Sequence, residues 1–292
     1  MIMKRHKRKS RCFLAALVSA VICIAAMTSC AAAENDDIPA ENSELQVFVP
    51  VIMYHSVLKD ETSWNDYVIS PDTLKNDIEY LKAQGYEFIL TSDLINYVNS
   101  GSPLPEKPVI LTFDDGCYNF LTYVEPILRE SGAKAVLSVV GSYAEREEGE
   151  PQKASYSYLN YAQIKELSRC GYVEIASHSY NMHELGVRRG ALRKEGETAE
   201  QYRSAFISDL LLSIEGLENN CGITPKVYTY PYGFVSEESL EYVKGCRFQA
   251  SYGVEEKPNY ISRDPECLWC MNRYNRPHGI STEEFMEKAL SR

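Results

Sequence analysis

Positive charge is scarce in this 292-residue chain once its first eleven residues are passed. Six Lys and Arg stand ahead of Ser29 with no acid among them, so removing that segment takes the formal charge from −11 to −17. A chain this acidic does not attract nucleic acid or another polyanion through net charge, and a neutral or cationic polymer suits it better. A second CxxC is absent. "CLWC" at Cys267–Cys270 therefore lacks the four ligands of a structural zinc site, leaving a local disulfide or free thiols. There is no internal repeat and no low-complexity tract. Histidine is limited to five residues, yet two of them, His178 and His183, fall within the twelve-residue stretch "EIASHSYNMHEL".

What is present begins with a basic cluster, Lys4 to Arg11, followed by the apolar run "CFLAALVSAVICIAAM". Length and flanks match a secretory signal rather than a stable transmembrane helix. The small residues of "MTSC" before "AAAEN" resemble a lipoprotein cleavage box, with Met27 in place of the usual Leu and Cys30 as the lipidated residue; the alternative is ordinary cleavage near Ala33. The expected organisation is a signal over residues 1–29, a polar tether over 30–45 and one folded domain over 46–292. The protein is placed outside the cytoplasm, touching a membrane only through a lipid at Cys30, and is read as a monomer. Six further cysteines, an even number in an exported chain, allow disulfides.

From Val47 onward strand-like and helix-like stretches alternate. "VFVPVIMYH", "YEFIL", "KPVILTF", "AKAVLSVV", "YVEIAS", "KVYTY" and "RFQASYG" read as strands. Between them lie helices such as "SPDTLKNDIEYLKAQG", "TSDLINYVNSG" with a Thr/Ser cap, "CYNFLTYVEPILRESG" bent at Pro126, and a closing "STEEFMEKAL". Such alternation predicts a parallel α/β fold, a barrel or a doubly wound sheet. Parallel α/β folds carry their chemistry at the C-terminal ends of strands. Four predicted ends converge: "VILTF" on Asp114-Asp115-Gly116, "YVEIAS" on His178 with His183 close behind, "VYTY" on Pro231-Tyr232-Gly233, and "VFVPVIMY" on His55.

"DDG" alone is an ordinary turn. At the end of a buried strand its two carboxylates point apart, so that one can hold a metal while the other accepts a proton. Two histidines five apart would lie about 140° apart on a helix, which excludes a helical ligand pair of the HExxH kind. A loop leaving a strand can turn both rings to one point. Two imidazoles and one carboxylate leave coordination positions open, as a catalytic site requires.

"TFDDG", "SHSYNMH" and "YPYG", in this order, resemble the NodB-like polysaccharide deacetylases of carbohydrate esterase family 4. "VPVIMYHSV" and "NRYNRPHGISTEEF" resemble its poly-N-acetylglucosamine branch most. The resemblance runs from about Val49 to Leu290. It implies a distorted (β/α) barrel and removal of N-acetyl groups from an N-acetylglucosamine polysaccharide. It makes Asp114 the base and Asp115, His178 and His183 the ligands of a divalent metal, zinc by default, with iron, cobalt or nickel also fitting. Tyr232 would offer a backbone N–H to the oxyanion, and His55 would be the acid, with His278 of "RPHG" its rival.

The chain departs from the family at "YTYPYG", where Thr229 stands at about the position of an arginine that orients the base. Asp114 must then be positioned some other way, or not at all. The usual late Leu-x-His motif is not recognisable. Two other readings stay open beside de-N-acetylation: an O-acetyl esterase using the same metal site, and a non-catalytic glycan-binding member, which the missing arginine would favour.

Overall fold

The computed structural model describes residues 46–292. The expected signal, the tether and Cys30 lie outside the described residues. The centre is a sheet in which every pairing is parallel. Its strands in chain order are β1 (Val51–Tyr54), β2 (Glu87–Phe88), β3 (Pro108–Phe113), β4 (Ala135–Val139), β5 (Val173–Ser177), β6 (Val227–Thr229), β7 (Ala250–Tyr252) and β8 (Tyr274–Asn275). The spatial order is β7-β6-β5-β4-β3-β1-β8, with β2 beside the start of β3. A single parallel bridge from Tyr252 to Met271, just ahead of β8, brings the two edges together. The result is the expected distorted (β/α) barrel.

Helices follow most strands: α1 (Pro71–Ala83), α2 (Thr91–Ser100), α3 (Glu125–Ser131), α4 (Gly141–Arg146), α5 (Tyr161–Arg169), α6 (Ala199–Cys221), α7 (Glu237–Gly245) and α8 (Thr282–Ala289). α1 starts where Ser70 accepts the Thr73 N–H and Pro71 occupies a first-turn position whose N–H would be idle anyway. Its Leu74, Ile78 and Leu81 recur at helical spacing and are buried, each contributing about 1.5–3 kcal/mol. α2 is capped from within rather than by its Thr/Ser pair: the Asp93 carboxylate accepts the Leu90 N–H. Pro126 does not bend a helix. It sits in the first turn of α3, after a π-helical segment at Phe120–Val124.

Strand alternation sorts the sheet into two faces. Ile52, Tyr54, Leu111, Phe113, Leu137 and Ile175 pack outward with the helices. Val51, Ile110, Val136, Ala176, Val227 and Ala250 share an inner apolar cluster. One pleat further along the inner face the residues turn polar, at Thr112, Ser138 and Thr229, and then come Asp114 and His178, all buried. The apolar layer plugs the barrel below, and the polar layer supports its C-terminal rim. The six described cysteines from Cys117 onward are free thiols. Among the described residues no helix is long and apolar enough to cross a membrane.

Candidate active site and metal centre

The rim closes around a cleft of about 560 Å³, lined by His55, Asp114, Asp115, His178, His183 and Tyr232 together with residues including Tyr67, Leu185, Glu256 and Asn275. All six residues singled out in the sequence therefore meet in one cavity. His278 does not line it. This residue is exposed and its ring lies 4.9 Å from that of Trp64. A groove of about 640 Å³ between α1 and α8 holds none of the six.

β1 and β3 are paired in register, Val51 with Ile110 and Met53 with Thr112. Alternation then sets His55 and Asp114 beside each other, each just past its strand. Asp115 follows at φ 71°, a left-handed conformation costing about 1–2 kcal/mol in a residue with a Cβ. Gly116 continues the turn with its α-carbon against Val139: an added Cβ would lie 3.1 Å from Val139 Cγ1.

Asp115 Oδ1 lies 3.1 Å from His183 Nε2 and 3.6 Å from His178 Nε2, yet is buried without a hydrogen bond of good geometry. The second nitrogen of each ring is occupied. His178 Nδ1–H donates to the Thr229 carbonyl at 2.8 Å, and His183 Nδ1 lies 3.3 Å from the Tyr143 hydroxyl and 3.2 Å from that of Tyr232. Both Nε2 atoms are thereby left toward the carboxylate. One donor atom from each of the three residues falls within 4.8 Å of the others. Burial pushes the His178 imidazole down to about 4, so it is neutral and its lone pair available at pH 7. Asp115 is opposed by burial, but the imidazoles, His183 nearest, pull its carboxyl below its ordinary value. An orphaned buried oxygen facing two correctly oriented imidazole nitrogens fits a divalent metal of the zinc class.

Asp114 is buried and accepts two parallel bonds from Arg273, Nη1 to Oδ1 at 2.7 Å and Nη2 to Oδ2 at 2.9 Å. Arg273 is itself fully buried at the approach to β8, its Nε donating to the Gly253 carbonyl and Nη1 also to Thr112 Oγ1. Burial alone would raise Asp114. The Arg273 charge, then that of His178, outweighs it and holds the carboxyl well below the ordinary carboxylate range. The role expected of the arginine missing from "YTYPYG" is thus filled by one at the approach to β8. Thr229 instead orients His178 through its carbonyl and bonds Ser138 through its hydroxyl at 2.7 Å. Sequence reasoning missed Arg273, although "NRYNRP" offers a trace of it: two arginines flank a two-residue strand, and both are buried, Arg276 on Asp77.

Tyr232 lies in the 3-10 turn Pro231–Gly233 with φ 56° and ψ 11°. Its half-exposed ring packs 4.5 Å from that of His183. Tyr67, also lining the cleft, sets its ring at 75° to His55, 5.0 Å away, and His55 Nδ1 is buried without a partner.

A curled parallel barrel bearing a carboxylate–imidazole cluster at its C-terminal rim is the architecture of the NodB-like deacetylases. The polysaccharide deacetylase family matches residues 101–251, and the chain belongs to that family. It is 27% identical over 225 residues to the poly-beta-1,6-N-acetyl-D-glucosamine N-deacetylase of Escherichia coli K12, spanning 70% of this chain and 33% of that protein. With the protein of the same description from Staphylococcus aureus MRSA252 it shares 24% over 193 residues, 66% of this chain and 63% of that one. The chain thus spans between a third and just under two thirds of the length of these relatives. The fold matches the solved structure of a de-N-acetylase from Aggregatibacter actinomycetemcomitans with a TM-score of 0.72 at 24% identity, covering 82% of this chain and 99% of the other.

Proposed function

We propose that the protein is a metal-dependent hydrolase that removes N-acetyl groups from the N-acetylglucosamine units of an extracytoplasmic polysaccharide. The observation that carries this reading is the meeting of Asp115, His178 and His183 beside an Asp114 clamped by Arg273. The relatives' described activity and the acidic charge of the chain support the same substrate class. The basic cluster and apolar run ahead of Cys30 support export, with a lipid at Cys30 as the membrane anchor.

Asp115 and the Nε2 atoms of His178 and His183 would hold the metal, zinc in the first instance. When bound it polarises the acetamido carbonyl and lowers the pKa of water beside it. Asp114 is the base. Its depressed pKa keeps it in the proton-accepting form, and the guanidinium fork of Arg273 fixes its plane. As water adds to the acetamido carbon, Asp114 takes its proton. The Tyr232 backbone N–H is the donor assigned to the oxygen on which charge develops. His55 then gives a proton to the nitrogen as the C–N bond breaks, since an amine anion leaves badly. Acetate and a glucosamine unit result. Tyr67 and Tyr232 offer ring faces on which pyranose C–H groups can lie.

The test is acetate release from β-1,6-linked N-acetylglucosamine oligomers, with zinc supplied and again after chelation. Release that stops on chelation and returns with metal is expected. No release from any N-acetylglucosamine oligomer, metal supplied, would overturn the proposal. The glycan-binding reading, which the arginine absent from "YTYPYG" favoured, loses that support because Arg273 holds Asp114 from the approach to β8.

A further inference from the structure

Five-residue spacing puts the two imidazoles at opposite ends of a surface loop, and something must hold that loop in one shape. His178 is held by its strand, its N–H donating to the Val139 carbonyl at 2.8 Å. Beyond it Ser179 takes φ 73°, left-handed without being glycine, and Asn181 is exposed. Across this arc lies Asp209 of α6, only 6% exposed. Its Oδ1 accepts the Tyr180 N–H at 2.9 Å and its Oδ2 the Asn181 N–H at 2.7 Å. One carboxylate thus grips two successive amides midway between the ligands. Ser179 Oγ accepts the Met182 N–H at 3.1 Å, and Met182 is buried with Phe206 and Leu210 of α6. The mechanism assigns Asp209 no part.

We propose that Asp209 is a positioning residue for the metal centre: by holding the Tyr180 and Asn181 amides it fixes the turn that brings His183 back to Asp115 and His178. The inference rests on the reading of Asp115, His178 and His183 as metal ligands. Its logic is that of an outer-shell partner, a group that touches no metal but sets ligand direction. Burying a carboxylate is costly, and burial raises this one to about 6. A helix that needed only to pack against the loop would do so with an apolar residue here, as Phe206 and Leu210 do nearby.

The experiment is Co²⁺ titration of the chelator-stripped full chain, read by its visible ligand-field bands and by competition with a chromophoric chelator. Wild type is compared with Asp209→Asn, Asp209→Ala and Leu217→Ala, the last a buried change on α6 outside the loop contacts. Asp209→Ala is expected to weaken Co²⁺ about 10–100-fold and Asp209→Asn less, because its amide oxygen still accepts one N–H. Leu217→Ala should lower the Tm but leave the affinity unchanged. Wild-type affinity in Asp209→Ala, or a loss no larger than in Leu217→Ala, would overturn the proposal. If the Asp209 variants do not fold, hydrogen exchange on wild type decides. Protected Tyr180 and Asn181 amides support the clamp, and exchange at the rate of free loop amides refutes it. A wild type that binds no Co²⁺ removes the ligand reading, and the proposal with it.

Discussion

Arg273 and Asp114 stand 159 residues apart in sequence and form a bidentate pair of which neither side chain is more than 3% exposed. Two buried charges joined by two short bonds define a plane and a direction, which a single contact does not. The carboxylate is therefore both ionised and aimed before substrate arrives. An arginine on one strand of a barrel can be replaced by one reaching the same point from another, because all strand ends open on the same rim. The device follows the geometry of the rim rather than a position in the sequence.

Breaking this pair on one side should cost far more than removing both partners. Arg273→Met leaves Asp114 buried and uncompensated, with an expected loss of about 3–5 kcal/mol in denaturant unfolding. Arg273→Met/Asp114→Leu should recover most of that loss without recovering activity. The pH dependence has a definite sign. Arg273 depresses Asp114, so the stability it gives is present above the ordinary carboxylate pKa and is lost as pH falls through the folded value. In Arg273→Met burial is opposed only by the nearby imidazoles of His178 and His55, and the acid limb of kcat/KM against pH should move to higher pH.

Asp114→Asn tests the base alone. The metal donors Asp115, His178 and His183 stay in place, so Co²⁺ affinity should hold while acetate release falls about 10²–10⁴-fold. Full turnover in this variant would remove Asp114 from the role.

The two candidate acids are separable in the same assay. His55 lines the cleft, whereas His278 packs on Trp64 outside it. His55→Asn should lower kcat and flatten one limb of its pH profile, with His278→Asn close to wild type. The reverse pattern would exchange their roles.

Much of this was legible in the sequence because it depends on local signals. Strand–helix alternation gave a parallel α/β fold, the family resemblance chose the barrel over a doubly wound sheet, and strand ends gave the rim with Asp114, Asp115, His178, His183, Tyr232 and His55. β8 was not legible, since two residues carry no periodicity and its pairing with β1 spans more than two hundred positions. Arg273 rides on that element and was missed with it. α4 was passed over because six residues offer too short a window for a helical pattern. Asp209 was hidden for another reason: within α6 an aspartate reads as surface charge, and only tertiary packing turns it inward on the Tyr180–Asn181 amides.

Gly233 should be irreplaceable for reasons of both backbone conformation and space. Its φ is 68°, and a Cβ there would lie 2.0 Å from Val254 Cγ2 and 2.8 Å from Val254 Cβ. Gly233→Ala must push the Pro231–Gly233 turn off Val254 and carry Tyr232 with it. Expected are a stability loss of about 1–3 kcal/mol and a lower kcat than that loss explains at assay temperature. The double variant Gly233→Ala/Val254→Ala should recover part of both. Thermal melts and steady-state acetate release check the pair.

Glu174 gives a pH dependence unconnected with catalysis. It lies near the start of β5, away from the rim, and its Oε2 accepts the Ser92 N–H at 3.0 Å near the N-terminus of α2. Burial raises its carboxyl to about 7 against the bond from Ser92. Here the folded value lies above the unfolded one, about 4.3 for glutamate. Between these the folded state holds a proton that the unfolded chain has lost, so the ionised group progressively destabilises the fold as pH rises from about 4.3 to 7. Glu174→Gln keeps the acceptor oxygen and removes the charge. The variant should match wild type near pH 4 and exceed it by about 1–3 kcal/mol at pH 8, with the gap opening across that window. Chemical denaturation at a series of pH values measures it, and a gap that does not change with pH would mean that Glu174 is not the titrating group.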